Sequence, residues 1–255
     1  MTELNPGSNT PSPIRRIEGN EQKELDRDFF DLQVQFAKRL SQVTGKPFFE
    51  ILLTHTILYN RFGLGKVADS SNPVWLEFIS GGEEGITDRA YQLYLKPKDA
   101  APKKLSFGCF RHDYRPEEKA VYIHFSNKEK SESPFANPEK RKQELKEMFE
   151  YIKKTFPEAK FVRGHSWLYN EEKYKKLFPP EYTANLELDH NFSNGFSTWG
   201  QFLDRRSKTK SEEARFFTEN LDSAKSEQEV LDAFPKKVFN AQTSIEDFYK
   251  YLGVD

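Results

Sequence analysis

Three consecutive pieces decide the fold: KAVYIHFS (119–126), NPEKRKQELKEMFEYIKKTFPEAK (137–160) and FVRGHSWLYN (161–170). The first alternates β-branched and aromatic residues with polar ones, which is the pattern of a half-buried strand. The second opens with Asn137-Pro138, a capping residue ahead of proline at the first helical position. It then places Leu145, Met148, Phe149, Ile152 and Phe156 on one helical face, and Pro157 closes it. The third returns to strand character over Phe161–Leu168. Residues 119–168 therefore predict a strand–helix–strand unit long enough for a parallel crossover.

Upstream, Ala90–Lys96 and Leu105–Arg111 also read as strands, so that with Lys119–Ser126 they would form a meander. Further upstream, Leu25, Phe29, Leu32, Phe36, Leu40 and Val43 recur at helical spacing until Gly45-Lys46-Pro47. A second helix is expected from Pro47 to the Gly63-Leu64-Gly65 stop, completing a helical hairpin. Downstream the helices expected are Glu171–Phe178, with Asn170 as its cap, Ser211–Leu221, Ser226–Phe234 and Ser244–Leu252, the last opened by a capping box of Ser244 and Asp247. Residues 1–19, rich in Pro, Ser, Asn and Gly, predict a flexible tail. The expected whole is a single α+β domain over 20–255, with a helical part at 20–66 and a sheet-containing part at 67–255. The hairpin packs on a mixed, largely antiparallel sheet, with helices at the C-terminus.

The chain has 255 residues, with 39 Lys+Arg against 40 Asp+Glu, so a formal charge of -1 supplies no global field for nucleic acid. Hydrophobic residues make up only 36%, but 23 Phe and 11 Tyr give each core position a large side chain to bury. One cysteine, Cys109, excludes an intramolecular disulfide framework. With no long apolar run, neither a membrane span nor a leader is predicted. The expected location is cytoplasmic.

If Phe110 pairs with Val121, then Phe110, Val121, Ile123 and Phe125 share an apolar face. Phe107, Cys109, Arg111, Tyr122 and His124 fall on the other. Ligands of parallel crossovers lie beyond the carboxyl ends of the parallel strands. Those ends carry His124, Ser126 and Asn127 on one side and His165, Trp167 and Tyr169 on the other. Two histidines suited to proton exchange near neutral pH stand there with a phenol, an amide and an aromatic wall. Ordinary packing of His and Tyr under helices would leave the same pattern.

The segments AVYIHF, TFPEAK and FVRGHSWLYNEEKYKKLFP resemble the carboxy-terminal domain of a group of bacterial acyltransferase-like proteins of the GNAT superfamily, over residues 119–190. That resemblance implies a GNAT-like crossover whose splayed parallel strands hold the pantetheine of acetyl-CoA or another acyl-CoA. It also implies transfer of the acyl group from the thioester to a small amine or alcohol. His124 and His165 would then be the base candidates and Tyr169 the acid for the departing thiolate. Arg111, Tyr122, Ser126, Asn127 and Trp167 would contact substrate. The family cradles the pyrophosphate in a glycine-rich turn, whereas NKEKSESPFANPEKRKQEL (127–145) has no glycine. Lys128, Lys130, Lys140 and Arg141 are left as the charges available to phosphates. Two further expectations stand beside the acyltransferase: a non-catalytic binding or interaction protein on the same scaffold, and a metal-dependent small-molecule enzyme using the histidines. A small-molecule ligand is expected in each enzymatic case, and no oligomeric state is legible.

Overall fold

The computed structural model describes residues 24–98, 105–129 and 132–255. The tail expected at 1–19 lies outside them. The amino-terminal half is helical: α1 (Arg27–Thr44), α2 (Phe48–His55), α3 (Leu58–Arg61), α4 (Pro73–Ser80) and α5 (Ile86–Leu95). Asp26 caps α1 by accepting from the Phe29 N–H, and Gly45 ends it in the left-handed conformation its φ of 72° requires. The expected second helix is broken. At Thr56-Ile57 the chain leaves the helical path, and the Ile57 N–H is taken by the buried Gln33 Oε1 at 3.0 Å instead of a carbonyl one turn back.

The strand expected at Ala90–Lys96 is α5. Its buried positions are Ile86, Thr87, Ala90 and Tyr94, which lie on one side of a helix, so the 3.6-residue period outweighed the local alternation. These helices share an apolar core with α9 (Phe196–Trp199), α10 (Ser211–Ser223) and α11 (Glu227–Asp232). The hairpin thus packs on other helices, not on the sheet, and residues 67–98 belong to its core.

The second core lies under the sheet. It is built from β1 (Phe110–Arg115), β2 (Ala120–Phe125), α6 (Pro138–Thr155), β3 (Phe161–Ser166), α7 (Glu172–Lys175), α8 (Pro180–Ala184), β5 (Phe239–Ser244) and α12 (Ile245–Leu252), while the short β4 (Glu187–Leu188) adds an exposed edge to the sheet. The sheet order is β1-β2-β3-β5-β4, with β2 and β3 parallel and the other neighbours antiparallel. The strand–helix–strand unit is thus present with parallel strands. Asn137 caps α6 and Ser244 caps α12, as their sequences predict.

The first sheet strand begins at Phe110, not Leu105. Residues 107–110 form a tight turn around Gly108, whose φ is 55°. Phe110 pairs with Phe125 and Tyr114 with Val121, because the strands are joined by a short turn at Pro116–Lys119. The expected pairing of Phe110 with Val121 is therefore wrong by four residues. An even slip preserves the pleat, so Phe110, Val121, Ile123 and Phe125 still share the covered face. Phe107 and Cys109 leave the open face for the buried turn.

Candidate functional site on the open sheet face

One face of the sheet is sealed by α6, α7, α8 and α12; the other is reached by solvent. Alternation sends Arg111 and Asp113 of β1, Tyr122 and His124 of β2, Arg163 and His165 of β3, and Asn240 and Gln242 of β5 to this open face. All are partly or fully exposed. Apart from Phe161, which shares the parity of Arg163 and His165 and is exposed, the face is mostly polar, and it is organised by ion pairs.

His124 Nε2 lies 2.8 Å from Asp113 Oδ2, a neighbour on the adjacent strand. His165 Nε2 lies 2.6 Å from Asp189 Oδ2, in the residue after β4. Each imidazole is thus backed by a carboxylate, an arrangement that fixes ring orientation. Between them, Tyr122 donates to Glu118 Oε2 at 2.7 Å, and Arg163 reaches Glu118, the Tyr122 hydroxyl at 3.1 Å and Gln242 Oε1 at 2.6 Å. The Tyr122 hydroxyl, with Arg115, holds the Glu118 carboxyl below its usual range. Arg115 also lies over the Tyr122 ring, 4.0 Å from its centroid.

The strands that carry the histidines separate. β1 pairs with β2, and β3 with β5, along their full lengths. β2 and β3 pair only from Ala120–Phe161 to Tyr122–Arg163, although each continues three residues further. His124 and His165 lie in the parted halves, on the same open face.

Of the residues expected at the site, Arg111, Tyr122, His124 and His165 come together on this face. Ser126 continues the hairpin by donating its N–H to the Cys109 carbonyl at 2.8 Å, and Asn127 Oδ1 accepts the Glu129 N–H at 2.9 Å in a local turn. Trp167 follows β3, with the ammonium groups of Lys236 and Lys210 at 5.0 and 5.6 Å from its ring. Tyr169 is on the opposite side. Its hydroxyl meets that of Tyr182 at 2.8 Å, both rings are buried, and both phenolic oxygens press on Gly164 from the helix-covered face. Burial pushes its pKa well above that of a free phenol. Asn170 does not cap the next helix; its amide bonds the carbonyls of Trp167 at 2.6 Å and Lys237 at 2.8 Å.

Sequence reasoning left Glu118 and Arg163 out of this site and did not pair Asp113 or Asp189 with the histidines. Asp113 and Arg163 share the parity of Arg111 and His165, which could have placed them. Asp189 is brought in by β5, and nothing local signals it. Among the described residues no group of three or more His, Cys, Asp or Glu side chains gathers as a metal site, and no helix is long and apolar enough to cross a membrane. The chain matches no described protein family, no curated protein and no solved structure.

Proposed function

We propose that the open sheet face is the site of an acyl transfer from a thioester to a small amine or alcohol. The observation that supports this reading is the parting of parallel β2 and β3 beyond Tyr122–Arg163, with a carboxylate-backed histidine in each parted half. Unpaired strand edges offer main-chain donors and acceptors to the amides of a pantetheine arm, as expected from the GNAT-like resemblance. With Nε2–H of His165 given to Asp189, Nδ1 carries the lone pair and serves as base. The acceptor nitrogen attacks the thioester carbon, the N–C bond forms and the C–S bond breaks. The acceptor's proton passes to His165, and the imidazolium returns it to the thiolate. Arg111, beside His124 across the ladder, is a cation for an acidic group of the substrate. Tyr169, buried on the far face, has no part in this chemistry.

The nucleotide half of CoA fits less well. Asn137 already caps the first turn of α6, and Glu129 occupies its cations, accepting from Lys140 at 2.8 Å and Arg141 at 2.6 Å. A carboxylate fills the position a pyrophosphate would need. This favours, as a second reading, a binding protein that keeps the scaffold without the nucleotide.

Calorimetry with acetyl-CoA and acetyl-pantetheine, followed by transfer assays on a panel of amines, tests both. Binding of either thioester, with transfer lost in His165→Ala, is the expected result. No binding of either thioester, with native melting behaviour, overturns the acyltransferase reading.

A further inference from the structure

On the open sheet face, Arg111 is a cation that no acid answers directly. It is half-buried, and among the described residues none of its guanidinium nitrogens has a hydrogen bond or an ion pair. Arg39, Arg61, Arg89 and Arg141 each bond a carbonyl, an amide or a carboxylate through a terminal nitrogen. Arg206 is likewise without a partner there, but it is exposed to water. Asp113, two residues along β1 on the same face, is engaged by His124 at 2.8 Å. Glu118 is held by Tyr122 at 2.7 Å and Arg115 at 3.0 Å, and Asp189 by His165 at 2.6 Å.

The placement of Arg111 gives this cation a use. It pairs with His124 across β1 and β2, and His165 pairs with Asn240 across β3 and β5. His124 and His165 each lie two residues beyond the last parallel pair, Tyr122–Arg163. Arg111, His124, His165 and Asn240 therefore fall in one row across the parted strands. Paired strands stand about 4.8 Å apart, so the Cα atoms of Arg111 and His165, two strands distant, are separated by ~10 Å or more, and their side chains can close on a molecule of a few heavy atoms. We infer, on the basis of the acyl-transfer reading, that the acceptor is a small amino acid, its carboxylate held by Arg111 and its amine turned to His165. A guanidinium offers parallel N–H donors that match a planar carboxylate in a fork, and the charge on both sides strengthens the bonds. An amine without a carboxylate leaves Arg111 unanswered, and a site built around such a group discriminates against the analogue that lacks its partner.

The test uses the full chain, acetyl-CoA or acetyl-pantetheine as donor, and glycine and β-alanine as acceptors against glycinamide and β-alaninamide, which keep the shape and lose the negative charge. The quantity compared is kcat/KM for each amino acid divided by that for its amide. Arg111→Gln is expected to lower this ratio at least tenfold, chiefly through KM. Arg111→Lys, which keeps the charge without the fork, should fall between parent and Arg111→Gln, and it carries the comparison should Arg111→Gln fold poorly. An unchanged ratio in both variants, with transfer intact, overturns the inference and leaves the acyl-transfer reading standing. If no acceptor is acylated, that reading fails, and calorimetry with the same four compounds decides the carboxylate site separately. Binding of an amino acid that its amide does not share, and that Arg111→Gln loses, supports the site; equal binding of amino acid and amide, or none, overturns it.

Discussion

His165 Nε2 and Asp189 Oδ2 lie 2.6 Å apart, a contact that spans β5 and ties a sheet-centre strand to the residue following the edge strand β4. The carboxylate side chain is 12% exposed and the imidazole 28%, so the pair is open on the histidine side, where a substrate proton would arrive. An orienting carboxylate acts through its histidine. On the proposed acyl-transfer reading, Asp189→Asn is expected to lower the rate of transfer by about 10²-fold or more and to change its pH profile, with KM little altered. Unfolding should change by about 1 kcal/mol or less, because the pair is partly solvated. A flat response of both rate and pH profile would show that Asp189 only positions the β4 edge.

The phenols of Tyr169 and Tyr182 form a buried pair at 2.8 Å. Tyr169→Phe should leave the Tyr182 hydroxyl without its partner and cost about 1–3 kcal/mol in urea unfolding, with transfer unchanged. Replacing both with Phe should recover part of that loss. Unchanged stability with lost transfer would return Tyr169 to the chemistry.

His112 points to the covered face, within 5.6 Å of the rings of Tyr151 and Phe156 and 6.2 Å of Phe107. Neither ring nitrogen has a hydrogen-bond partner and both are buried. Burial lowers its pKa from 6.5, and neighbouring Asp113 opposes this only in part. Protonation therefore favours the unfolded chain. The stabilisation is fully present above about pH 6.5 and is lost as pH falls from there through the lower folded value. Denaturant midpoints measured from pH 8 to pH 5 should fall less steeply in His112→Phe than in the parent. His55, also lowered by burial, leaves a residual slope.

Arg141, 1% exposed, closes a cluster at the start of α6: it bonds the Cys109 sulfur, Glu129 at 2.6 Å and Glu144 at 3.0 Å, while Glu144 accepts the Cys109 N–H at 3.0 Å. Arg141→Leu would leave Glu144 buried without its cation and is expected to cost about 3–5 kcal/mol by denaturant unfolding. Burial pushes the Cys109 thiol up. The parent should therefore react slowly with a thiol reagent, and Arg141→Leu, which removes a cation that partly offsets this rise, should not make the folded chain react faster.

The sequence by itself determined the local devices. α1, α6, α10 and α12 follow from apolar spacing and from caps such as Asn137 and Ser244, whose oxygens satisfy N–H groups three residues away. It also determined which face Val121, Tyr122, Ile123, His124 and Phe125 of β2 occupy, because the strand period of two survives a wrong register. Tertiary structure decided the rest. β5 carries Asn240, Gln242 and Thr243 with little apolar signal, and it is a strand because β3 offers it a full antiparallel edge. Tyr169 follows His165 by four residues, yet the turn at Trp167–Asn170 carries it under the sheet, beyond the reach of a strand pattern. Asp189 and Asp113 meet their histidines through pairings whose partners lie 24 and 11 residues away in the chain. Such pairings depend on how strands are ordered, and that ordering is set by which faces must be covered by helices, a property of the assembled chain and not of any segment of it.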